Sequence, residues 1–320
     1  MIAVLRQANV HFENAIALAP EIPDAYNAIN DLHSHILIND AIGILDGEIT
    51  EEDVKNAPFE MKKNFDLAIR YARNESQKVS TMLDRAITLG DWSGLAGLTA
   101  HTLQNSDCMP SYWIQLTSTP WGAAEAAYRV FRDATLCDPH RTSAWAQMAR
   151  ARLWLGDYTG VEDVAREANQ KIDAENGLLL TAHILALVNA GKVEEAHRVN
   201  ISQSGRDSQK IMNRAIIAAS LGDADKAAEL QENFLSRFGT DDRISLSMEA
   251  IRGNRSEANR LARLIDSRPG GYLALMMTVL LCSCGAPFDL DAAPGFASKL
   301  EESGLQWPPS DSVNFPLKTW

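Results

Sequence analysis

Residues 127–158 read AYRVFRDATLCDPHRTSAWAQMARARLWLGDY, and this stretch decides the fold. Ala127, Phe131, Ala134 and Pro139 follow one another at intervals of four, three and five, and Trp145 comes six residues later. Intervals of three and four put Ala127, Phe131 and Ala134 on one helical face. The small residues let a neighbouring helix approach, and the phenyl ring fills the space between them. Pro139 stops that helix, because it lacks an N–H and its ring clashes with the preceding turn. Gly156 ends the next helix in the left-handed region that glycine adopts cheaply. Asp157 is suited to cap the helix after it. The beginning of the chain repeats the first half, since Ala8, Phe12, Ala15, Pro20 and Tyr26 keep the same intervals.

The punctuation returns downstream. Gly191, Gly222 and Gly253 each stand five residues before an alanine (Ala196, Ala227 and Ala258), and Gly90-Asp91-Trp92 begins a looser copy ending on Leu95. From Gly156 onward these glycines are 35, 31 and 31 residues apart. Recurrence at a near-constant period marks a repeat architecture. The pattern resembles the tetratricopeptide repeat, a helix–turn–helix unit of roughly 34 residues. The resemblance implies an all-α protein, a right-handed α-solenoid of tetratricopeptide-like helix–turn–helix repeats.

Three regions follow along the chain. Residues 1–106 read as degenerate repeats with a turn-rich, acidic insertion at 39–58. Residues 107–268 are the main array, with an irregular connection at 105–120. Residues 269–320 carry an apolar helix and a capping tail, in which Trp307, Phe315 and Trp320 stand among prolines as an extended strap. Within the insertion, Asp46-Gly47 predicts a sharp turn, and Thr50 with Asp53 predicts the cap of a short helix. A calcium loop there is excluded, because Ile44 and Ile42 occupy the positions where ligand oxygens are required.

Composition narrows the function. Hydrophobic residues make up 46% and charged residues 22%, as in ordinary globular proteins. A net charge of −12 argues against general affinity for nucleic acid or anionic membranes. The apolar run from Tyr272 to Cys284 is too short to span a bilayer, which needs about 20 residues. Arg6, His11, Glu13 and Asn14 interrupt any signal-peptide core, so a cytoplasmic location is expected. The four cysteines read as buried reduced thiols, and Cys282-Ser283-Cys284 lacks the companions a metal site needs. Phosphate-binding glycine loops, zinc-protease motifs and nucleophile elbows do not occur. The expectation is a protein without enzymatic activity or cofactor.

The resemblance also implies where a ligand would sit. In this family the second, fifth, ninth, twelfth and thirteenth positions of each first helix line a concave groove. A unit from Thr142 places Arg150, Leu153 and Trp154 there. Units from Gly177 and Ser208 add Thr181, Leu185 and Asn189, then Gln209, Met212, Ile216 and Ser220. One from Gly239 adds Arg243 and Ser247. The groove candidates are Arg150, Trp154, Asn189, Met212, Ile216 and Arg243. The lysine and asparagine clamp that relatives use for chaperone tails is missing, since Ala146 and Arg150, then Thr181 and Leu185, stand at its positions.

The whole chain is also similar to the C-terminal repeat region of bacterial multidomain signalling proteins. Those carry such repeats after a winged-helix or nucleotide-cyclase domain, and neither domain is in these residues. The expected function is therefore a protein- or peptide-binding scaffold. The alternative is the sensory region of a transcription regulator or nucleotide cyclase that binds a small ligand. A helical-toroid hydrolase would need opposed carboxylates among aromatic residues, and none stand out. At the N-terminus, Ile2 and Leu5 leave an apolar face that the insertion, a second subunit of a homodimer or a further domain would cover.

Overall fold

The computed structural model describes residues 1–44, 49–172, 176–203, 206–310 and 313–320. These residues are all-α: seventeen α-helices and two short 3-10 turns, with no strand among the described residues. The first part holds α1 (Ile2–Leu18), α2 (Pro23–Ala41), α3 (Glu51–Arg70), α4 (Glu75–Leu89), α5 (Leu95–Asn105) and α6 (Ile114–Ser118). Then come α7 (Ala124–Cys137), α8 (Thr142–Trp154), α9 (Tyr158–Lys171), α10 (Gly177–Asn189) and α11 (Val193–Ser202). They are followed by α12 (Asp207–Ser220), α13 (Ala224–Phe238), α14 (Asp242–Ile251) and α15 (Arg255–Asp266). The chain finishes with α16 (Gly271–Cys282), α17 (Pro294–Ser303) and an irregular tail.

The glycine punctuation makes one recurring joint. Gly156, Gly191, Gly222 and Gly253 all take φ between +68° and +81°. After each glycine, the next N–H reaches back to close the helix: Asp157 to Arg152 O, Lys192 to Leu187 O, Asp223 to Ala218 O and Asn254 to Glu249 O, at 2.8–3.0 Å. This bond satisfies carbonyls that the helix end would otherwise strand. Asp157, Asp223 and Asn254 then cap the following helix by accepting from Gly160, Lys226 and Glu257 N–H groups. The two copies of the opening phrase share a further bond. Trp145 Nε1 donates to Pro139 O at 2.8 Å, and Tyr26 OH donates to Pro20 O at 2.9 Å.

Helices pack on their sequence neighbours, and alternate helices also pack on one another. The row α8, α10, α12, α14 and α16 is continuous in this way. α16 also touches α2 and α6, and α17 touches α5, so the end of the chain meets its beginning. Arg268 Nη1 donates to Ala41 O at 3.1 Å and to Asp242 Oδ2 at 2.8 Å. Tyr272 OH donates to Thr88 O, and Lys299 Nζ to Gly90 O, both at 2.7 Å. Trp92 is fully buried at this junction, edge-on to the rings of Tyr272 and Phe296. One buried cluster runs from Ile38 to Phe315 through all of these elements.

Several local expectations change. Thr50 and Asp53 form the expected capping box, but the helix they start is long and continues through Pro58 to Arg70. The reason is an apolar stripe (Ala57, Met61, Phe65 and Ala68) buried along its length, which offsets the hydrogen bond that Pro58 removes. Residues 39–41 likewise belong to α2. The turn expected at Asp46-Gly47 lies outside the described residues. The connection at 105–120 contains α6, and Trp92 sits just before α5. Ile2 is buried against Leu32, Ile36 and the α3 stripe, so α3 covers the N-terminal apolar face.

The cysteines are paired, contrary to the reduced thiols expected. Cys108 bonds to Cys137, tying the 105–113 segment to the end of α7, and Cys282 bonds to Cys284. The separation of Cys108 from its partner in sequence is what hid the pairing. Protein purified without reductant and then unfolded should show no free thiol. A thiol-reagent titration finding all four cysteines reactive would restore the original expectation.

Candidate functional site

The groove candidates converge only in part. α10, α12 and α14 present Leu185, Met212, Ile216 and Ile244 to a cavity of about 220 Å³. Arg150 and Arg243 also line it, and Phe315 from the tail and Cys282 from α16 complete its wall. Arg150, Met212, Ile216 and Arg243, singled out from the sequence, therefore meet around one space. Trp154 and Asn189 do not line it. Trp154 is buried, and it faces a neighbouring depression with Val313, Phe315 and Trp320 of the tail. Its Nε1 has no hydrogen-bond partner among the described residues. Asn189 Oδ1 accepts from the Asn314 N–H at 3.1 Å, while its Nδ2 donates to Leu185 O.

Polar groups hold the cavity walls. Gln209 Nε2 donates to Thr181 Oγ1 at 2.6 Å, and the Thr181 hydroxyl donates to Asn213 Oδ1 at 2.9 Å. Asn213 Nδ2 continues to Asn200 Oδ1, so α10, α11 and α12 are tied by one chain of side chains. Arg243 is neutralised locally by Asp241, at 3.2 Å. Arg150 differs. Only 2% of it is exposed, and its Nη1 donates to Leu280 O at 3.2 Å and to Ser283 Oγ at 3.5 Å. No carboxylate lies within ion-pair distance of it among the described residues. Burial pushes its pKa below the ordinary guanidinium value, with Tyr112 acting weakly the other way.

A second, polar depression of about 360 Å³ lies between α2, α4 and the 105–113 segment. Asp84 stands in it and accepts from the Ser111 hydroxyl. Burial raises the Asp84 carboxyl from 3.8 to about 7, and the Ser111 bond opposes the rise. An acid whose pKa is raised by folding stabilises the fold fully below its unfolded value. That contribution fades as pH climbs from about 4 to about 7. Asp84→Asn, which keeps an acceptor for Ser111, should therefore melt higher than the parent at pH 8 and equal to it at pH 4. Paired melts with the same difference at both pH values would contradict this.

No group of three or more metal-ligating side chains occurs among the described residues, and no helix there is long and apolar enough to cross a membrane. No protein-family model matches the chain, and no curated protein does either, so the residues themselves carry the functional argument. The sequence missed Ile244, Met248 and Phe315 as wall residues. Ile244 and Met248 lie one position from the expected register, and Phe315 reaches the cavity only because the tail folds back.

Proposed function

We propose that this chain is a non-enzymatic, protein- or peptide-binding scaffold. In this reading its helix pairs are tetratricopeptide-like repeats in a right-handed superhelix, and the row α8 to α14 forms the concave, ligand-binding side. One observation supports it above others: the irregular C-terminal segment of the chain already lies against that row, with Phe315 at the start of a turn closed by the Lys318 N–H. The Asn314 N–H bonds the Asn189 side chain, and Phe315 closes the cavity between α10, α12 and α14. Main-chain bonds to a fixed amide with a side chain dropped into a pocket are how extended peptides are commonly held. The partner would then be an extended segment with an aromatic residue beside proline, and the chain's own Phe315-Pro316 would be its stand-in.

A chain truncated after Ser310 should bind a synthetic peptide of residues 313–320, by calorimetric titration. The full chain should bind it at least about tenfold more weakly, because its tethered copy competes at high effective concentration. Equal binding by both chains, or none by the truncated one, would refute the reading.

The alternative is a sensory or regulatory region that binds a small ligand, as in a bacterial transcription regulator or nucleotide cyclase. The uncompensated Arg150 beside the cavity favours it. A cytoplasmic location belongs to either proposal, although two disulfides are more usual in oxidising compartments. A homodimer through the N-terminal end is proposed on the outer side of α1, where Val4, Val10 and Leu18 are exposed. Light scattering before and after deletion of residues 1–20 tests it, and a strict monomer throughout would refute it.

A further inference from the structure

The cavity beside Arg150 has a defined chemical character, and the following rests on the small-ligand reading. A guanidinium removed from water is costly unless an anion or several acceptors replace its hydration. Arg150 is 2% exposed, yet its acceptors among the described residues are Leu280 O and Ser283 Oγ, both neutral and both on Nη1. The Nε–Nη2 edge has no acceptor among the described residues, and that edge is the fork that a carboxylate bridges with two parallel bonds. The opposite cation, Arg243, is already paired with Asp241 and adds no unmet charge.

The rest of the wall is mostly apolar, with Thr181, Gln209 and Ser247 as its uncharged polar members. Leu185, Met212, Ile216, Ile244 and Met248 line the space. At about 220 Å³ it exceeds the roughly 150 Å³ engineered cavity that accepts benzene, which scales to a ligand of roughly nine non-hydrogen atoms. We infer that this cavity is a binding site for a small monocarboxylate with a compact apolar body, its carboxylate bridged by Arg150 and its body packed on α10, α12 and α14. A phosphate ester would bring more charge than one guanidinium compensates, and a purely apolar molecule would leave the fork edge unmet.

Benzoate and its neutral isostere benzamide distinguish the parts of the inference when titrated calorimetrically into the full chain. Benzoate should bind with a Kd of about 0.1–1 mM, in keeping with a ligand of this size. Benzamide should bind at least about tenfold more weakly, the usual difference for a charged hydrogen bond. Arg150→Gln, which keeps a donor for Leu280 O, should lose the preference for benzoate. Met212→Trp fills the cavity from a half-buried wall position and should abolish binding with Arg150 intact, which keeps the test valid if the Arg150 variant does not fold. Equal affinity for both compounds would overturn the anion assignment while the small-ligand reading stood. No binding of either would overturn both, and full binding by Met212→Trp would overturn the location.

Discussion

Trp92→Ala should lower the stability of the chain by about 3–5 kcal/mol, the usual cost of truncating a large buried aromatic. Trp92 is fully buried, its Nε1 donates to Ile87 O at 3.3 Å, and its ring sits edge-on to Tyr272 and Phe296. Those partners come from α16 and α17, so the indole packs the early helices against the end of the chain. Removing it leaves a cavity lined by rings that cannot easily collapse. The loss should also uncouple the two ends, so that hydrogen exchange at Thr88–Leu95 and at α17 rises together. A melt within about 1 kcal/mol of the parent would contradict the role assigned to this junction.

Phe131→Ala should cost about the same, 3–5 kcal/mol, for a different reason. Phe131 belongs to the local phrase and not to the junction: it is buried on α7 beside Ala127 and Ala134, where α8 packs. Phe12, its counterpart in the first copy of the phrase, is only half-buried. Phe12→Ala should therefore cost no more than about 1–2 kcal/mol. Chemical-denaturant unfolding of the two variants gives the ranking. Equal losses, or no loss at Phe131, would remove the register in which the two copies correspond.

These two residues also show what was legible in the sequence. Phe131, Trp145 and the glycine joints act through contacts within a few residues or between adjacent helices, so period and capping chemistry reveal them. The Asp157, Asp223 and Asn254 caps follow from residue type and position alone. Trp92 marks the limit. Its burial depends on Tyr272 and Phe296, far along the chain, and no local pattern encodes that meeting. The bond from Arg268 to Ala41 O is equally remote.

The candidate site divides along the same line. Positions on α8, α10, α12 and α14 were assigned by counting within units, and Arg150, Met212, Ile216 and Arg243 do surround one cavity. What counting could not supply is the occupant of that side. The apolar run from Tyr272 was recognisable as a buried helix, but nothing in it says that Leu280 O would meet Arg150. Trp154 shows the cost: it is buried and shares a depression with the chain's own tail instead of lining that cavity. Pro58 shows the converse, where a residue that ordinarily breaks a helix lies inside α3 because its buried stripe outweighs the local penalty.

The central claim is that the row from α8 to α14 is a ligand-binding surface, occupied in this chain by its own tail. Hydrogen-exchange mass spectrometry on the chain truncated after Ser310, with and without the peptide of residues 313–320, tests it most directly. Peptide addition should slow exchange in α10 and α12 and in the turn that follows α8, with α1 to α3 unchanged. Protection confined to α1 to α3, or no change anywhere at saturating peptide, would contradict the account.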